Sequence, residues 1–306
     1  TGPLARRAAG FRAVDVTPTD DVRTLTFAWL SWHGDAARRR RHVAGRATVE
    51  YGAYVSYRWQ DGDTPASYLP TSTPVIPSAA QVVPRGLSAV AADVWLRVES
   101  TDFRIELEAA LLYSHIASTS LVPGVLLRDS ISGTQFGAAL ETDILSREGP
   151  FTFGFDLGIA SGDSAPGFGA FPRALERSPQ PGDLDGPQAT LPYDTTVDNF
   201  RFHTDYRVDR ILFREIIGRV TDAFYLRPHL RWRLFDEPFG SLAVTAYGVA
   251  SFAVEAASAP GGQSPLGVEL DPAVTYQSRE GFLAALEYAV LFPLAGLENP
   301  DVGLGA

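Results

Sequence analysis

Across residues 45–63 apolar and polar side chains alternate with period two. Ala47, Val49, Tyr51, Ala53, Val55, Tyr57 and Trp59 hold the odd positions, while Thr48, Glu50, Gly52, Ser56, Arg58 and Gln60 hold even ones. A helix cannot sort residues in this way, but a strand with one apolar and one polar face does. The pattern returns over 103–113, with Phe103, Ile105, Leu107, Ala109, Leu111 and Tyr113 set against Arg104, Glu106 and Glu108. It returns over 151–159 and again over 224–234, where Leu226, Leu230 and Trp232 alternate with Arg227, His229, Arg231 and Arg233. Weaker copies cover 22–32, 93–99, 135–145, 242–255, 268–277 and 282–292, which makes ten segments in all.

Most of these segments are longer than the five or six residues usual in soluble sandwiches and match the roughly 9 to 11 that a tilted strand needs to cross a bilayer. No apolar run is long enough for a transmembrane helix. Connections at 100–102, 146–150, 236–240 and 278–281 are short; those at 61–88, 117–132, 161–222 and 257–267 are long and alternate with them. Short turns on one rim and long loops on the other are the asymmetry of outer-membrane barrels. Tyr51, Tyr57 and Trp59, Trp29 and Trp32, Tyr113, Tyr225 and Trp232, and Tyr288 and Phe292 lie mostly near strand ends, where interfacial girdles belong. The sequence therefore predicts one all-β domain over 1–306, a transmembrane antiparallel up-and-down barrel with short periplasmic turns and long extracellular loops. Followed from rim to rim, the strand over 282–292 runs outward with no returning strand. The expectation is a chain shortened at both ends and an intact barrel of at least about twelve strands.

Composition refines this expectation. The 306 residues are 45% hydrophobic and 11% aromatic, too apolar for a disordered chain. Cysteine is absent, which removes disulfides, thiol catalysis and cysteine-bound metal. Methionine is absent too, so Thr1 is not a translation start and no signal peptide is visible. All 26 basic residues are arginine, dispersed in a chain of net charge −10, which argues against nucleic acid as a partner. The dense run Arg38 to Arg41, followed by His42, reads as a solvated turn.

The alternation fails over 199–222. Val208, Ile211, Leu212 and Ile216 recur at helical spacing, with Arg207, Arg210 and Arg214 on another face. An amphipathic helix over 207–218 is expected inside the longest loop, either folded into the lumen as a filter or packed on the loop crown with its arginines paired to Asp205, Asp209 and Glu215. The run DNFRFHTDYRVDRILFREIIGRVTDAFYLRPHLRW, with GVELDPAVTYQSREGFLAALEYAVLFPLAGLEN, resembles an uncharacterised family of myxobacterial outer-membrane β-barrel proteins. What the resemblance implies is a porin-like barrel with a signal peptide, longer than this chain at both ends. It brings no substrate or catalytic set.

Polar parity would face the lumen. The candidate pore-lining residues are Glu106, Glu108, Arg207, Arg210, Arg214, Arg227, His229, Arg231 and Arg233, with the basic row of 227–233 expected to pair with Glu106 and Glu108. Enzyme chemistry is not expected: Ser114 and His115 are adjacent and point to opposite faces of a strand, and the five histidines show no metal-binding spacing. The glycine cluster at 167–171 lacks the strand and helix of a phosphate loop, and Asp163, Asp183 and Asp185 read as solvated loop acids. No metal or cofactor is expected. The sequence points to an integral protein of the bacterial outer membrane, in contact with lipid and lipopolysaccharide. Its expected function is a porin-like channel for passive or weakly selective diffusion of small hydrophilic solutes, with a homo-oligomer left open. The competing expectation is a plugged structural or adhesive barrel whose loops bind surface partners.

Overall fold

The computed structural model describes residues 22–63, 82–118, 130–145, 149–169 and 195–299. Eleven antiparallel strands form one sheet: β1 Arg23–Ser31, β2 Thr48–Asp63, β3 Val83–Glu99, β4 Phe103–Ile116, β5 Ile131–Leu145, β6 Phe151–Ala160, β7 Ala223–Glu237, β8 Gly240–Ala253, β9 Pro265–Ser278, β10 Leu283–Glu287 and β11 Val290–Pro293. From β1 to β10 each strand pairs with its sequence neighbour, the order of a meander, and β11 pairs with β9. No helix among the described residues is long and apolar enough to cross a membrane.

All ten segments of alternation are strands. The segment over 282–292 is broken in two, because β10 and β11 share one register on β9 and are separated where Tyr288 meets Pro272. Tyr288 N–H donates to the Pro272 carbonyl at 3.0 Å, and proline has no N–H to return the bond. Among the described residues the sheet thus has ten strand positions. Its two edges, β1 and the β10/β11 line, are not paired with each other among the described residues.

The two faces of the sheet are inverted relative to a soluble protein. On β9, Val268 and Leu270 are 38% and 46% exposed, while Glu269 and Asp271 between them are 1% and 3% exposed. Val55 and Tyr57, Leu96, Ile105, Leu107 and Leu111, Phe153 and Phe155, and Leu230 and Trp232 are likewise exposed, whereas Glu50, Ser56, Asp156 and Ser251 are buried. Apolar surface on this scale is costly in water and stable in lipid. Most of the aromatic belt lies on the exposed apolar face, but Tyr225 does not: it is fully buried on the polar face.

The packed core lies on the polar side. Residues 195–222 fold onto it, and Phe202, Val208, Leu212, Phe213 and Val220 pack with Tyr225, Val249, Ala253 and Leu266. Room for this segment comes from small side chains: register aligns Ala110, Gly137, Ala160, Ala223 and Ala253 in one row across β4 to β8. Phe200 lies so close over Gly137 that no Cβ fits there.

On the other rim, the connection from β1 to β2 carries a helix, α1 (Asp35–Val43), in place of the turn expected from Arg38 to Arg41. Asp35 sits in its first turn and Arg40, Arg41 and His42 in its last, a charge order that suits the helix dipole. The Arg41 guanidinium donates to the Ala47 carbonyl at 2.7 Å and ties the helix end to the start of β2.

Candidate functional site

Period two places every second residue of each strand on the polar face, and strand register then decides which charges become neighbours. One register line runs through Thr48, Glu99, Arg104, Asp143, Gly154, His229, Tyr247 and Asp271. A second runs through Glu50, Arg97, Glu106 and Glu141. Opposite signs therefore meet between adjacent strands. Arg104 pairs with Glu106, with Glu141 at 3.1 Å and with Asp143 at 3.4 Å. Arg97 pairs with Glu99 at 3.0 Å, and the Trp95 indole N–H donates to Glu106 at 2.8 Å.

His229 reaches over a strand. Gly154 lies between Asp143 and His229 in the register, and without a Cβ at that position the imidazole can lie across β6. Its Nε2 is 3.1 Å from Asp143 and its Nδ1 3.5 Å from Asp156. Arg227 pairs with Asp156 at 2.9 Å and stacks on the Tyr247 ring, 4.1 Å from its centre.

The basic row of β7 therefore does not pair with Glu106 and Glu108, as expected from sequence. β5 and β6 stand between β7 and β4, three strand spacings of about 4.8 Å, and Asp143 and Asp156 take the basic partners first. The row also divides. Arg227 and His229 are engaged, Arg233 bonds Asp236 near the end of the same strand at 3.3 Å, and Arg231 is exposed with no ion pair among the described residues. Glu108 also has none.

The expected helix over 207–218 is a single π-type turn, Leu212–Ile216. The reason lies in carboxylates that compete for the backbone. Glu269 of β9 accepts from the N–H groups of Arg210, Ile211 and Leu212 at 2.8–2.9 Å, and Asp209 accepts from those of Phe213 and Arg214. Both signals are in the sequence, but the partnership of 269 with 210–212 is long-range. The arginine stripe is correspondingly split. Arg210 binds Glu287 of β10, while Arg207 and Arg214 line a cavity of about 270 Å³ formed within the segment itself, by residues 204–219. Arg214 also touches Glu215 at 3.4 Å.

Tyr206 and Tyr225 hydroxyls meet at 2.8 Å and join the segment to β7. Burial pushes the Tyr206 phenol up to about 12 and the carboxyls of Asp209 and Asp222 up to about 6. Asp222 has a positive φ of 47° and accepts from Glu255 N–H at 2.8 Å and from the Ser258 hydroxyl. Asp163 is buried and caps a turn through Ala165 and Asp198 N–H groups, so it is not a solvated acid; Asp183 and Asp185 lie outside the described residues.

Comparison with protein-family models and with curated proteins finds no match. The functional reading rests on this geometry alone.

Proposed function

We propose that the chain is an outer-membrane barrel whose polar face lines a water-filled passage for small hydrophilic solutes. The observation that carries this reading is where the charges pair. Arg104 finds Glu106, Glu141 and Asp143 along the wall, on its own or the next strand, and these four stay 23–32% exposed; His229 reaches Asp143 over one intervening strand, still along the wall. Charges that pair around a wall leave the middle of the lumen to water, whereas a plug draws them across it. Residues 195–222 then narrow the passage from the long-loop side, with Arg207 and Arg214 at the water boundary. In lipid, unpaired backbone at the sheet edges costs several kcal/mol per group. The reading therefore requires the edges at β1 and β10/β11 to be paired, to each other or to further strands.

The dry core between 195–222 and β7 to β9 favours a second reading, a plugged structural or adhesive barrel. Single-channel recording in planar bilayers separates the two. Stepwise currents are expected, and in R207E/R214E the cation-to-anion permeability ratio should rise at least twofold. A correctly folded protein that passes no current overturns the passage and leaves the plugged barrel.

A further inference from the structure

The helix on the short-turn rim serves no purpose in the passage described above. It borders a cavity of about 510 Å³ whose walls include Arg38, Arg39, His42 and Arg46 from the β1–β2 connection and Arg97 and Glu99 from the end of β3. Four guanidinium groups converge there in a chain whose overall charge is −10. The carboxylates in the wall are already engaged: Asp35 with Arg38 at 3.0 Å, and Glu99 with Arg97 at 3.0 Å. Arg39, His42 and Arg46 have no acidic partner among the described residues. The buried Nε atoms of Arg38 and Arg97 have no hydrogen-bond acceptor, their nearest carboxylates being Glu50 and Glu106 at 3.7 and 3.8 Å. The helix is held in place from below, by Glu50, which accepts from His33 N–H at 2.9 Å, and by the Arg41 bond to Ala47.

Like charges gathered in one cavity repel, and the guanidinium groups of Arg39 and Arg46, which no acid among the described residues pairs, are donors open to an acceptor. The planar guanidinium matches the oxygens of phosphate and carboxylate bidentately, which an ammonium does not. We propose that this cavity binds a small oxyanion, of which phosphate is the simplest form, between Arg39 and Arg46 of the connection and Arg97 of the wall. The site sits at the short-turn rim and shares only the end of β3 with the passage wall, so it does not depend on whether the lumen conducts. Free anions and phospholipid headgroups offer the same chemistry, and one experiment separates them.

Calorimetric titration of the folded protein in uncharged detergent with inorganic phosphate is expected to give saturable binding above a chloride control. R39A/R46A should bind at least tenfold more weakly. Arg40→Ala, on the same helix but outside the cavity wall, should bind within twofold of the unaltered protein. Competition by short-chain phosphatidylglycerol assigns the site to headgroups; its failure to compete assigns the site to free anions. No saturable heat, or an equal loss in Arg40→Ala, overturns the proposal, the latter because it reduces the effect to diffuse charge. Folding of each variant is checked by its heat-modifiable gel mobility.

Discussion

Gly154 and Gly158 determine what the polar face of β6 can hold. Gly154 lets His229 lie over the strand toward Asp143, and Gly158 admits the ring of Tyr225. A Cβ at 158 would meet that ring and hydroxyl at 2.5–2.7 Å. Gly158→Ala should therefore cost about 1–3 kcal/mol, the usual range for overpacking, and weaken the Tyr206 contact that holds 195–222. The check is the temperature at which the folded, faster-migrating gel band disappears. Gly248→Ala is its control, because the nearest atom to a Cβ there is at 3.7 Å, an ordinary contact. Equal behaviour of the two variants would refute this account of the glycines. Such pairings are hidden in the sequence. Asp143 and His229 are 86 positions apart and meet only because two strand registers and one missing side chain coincide. The sequence shows that His229 and Asp156 share the polar parity; nothing in the spacing of a single strand selects Asp143 as the partner.

Among the elements, the strands were legible because a sheet with one apolar and one polar face imposes a period of two that no local preference masks. The loop segment was not, because its apolar spacing mimics a helix while long-range carboxylates set its backbone. β9 shows both sides of this: the alternation of Val268, Glu269, Leu270 and Asp271 identifies the strand, but not that Glu269 caps residues 210–212. The split of β10 from β11 likewise comes from Pro272 on the partner strand. The buried acids of the inward segment make its attachment depend on pH. Asp209 and Asp222 titrate near 6 when folded and near 4 when unfolded, so the folded segment holds more protons between those values. Its stability is greatest below about pH 4 and falls as pH rises through 6, by up to about 3 kcal/mol per group. Protease cleavage within 204–219 should therefore be faster at pH 7.5 than at pH 5, relative to an unfolded control. Asp209→Asn should flatten this difference, and an unchanged difference would show that another group is responsible.

For the molecule as a whole, the inversion of faces outweighs any single site. A sheet that exposes Leu107, Phe153 and Leu270 while burying Glu50, Glu269 and Asp271 turns its apolar side chains outward and its ionisable ones inward. The same polar face brings Arg97, Arg104 and Arg227 against neighbouring carboxylates. In lipid, the edges at β1 and β10/β11 would be penalised unless paired. Because the chain has no cysteine, each position can be probed alone. The most direct measurement is the labelling rate of single cysteines by a membrane-impermeant maleimide in protein reconstituted into liposomes. Leu107→Cys and Phe153→Cys probe the apolar face, and Glu108→Cys and Arg231→Cys the polar face; all four positions are exposed in the isolated chain. The account predicts rapid labelling at 108 and 231 and at least tenfold slower labelling at 107 and 153. Equal rates at all four would contradict a membrane barrel, and protection at 108 and 231 would contradict a water-filled lumen.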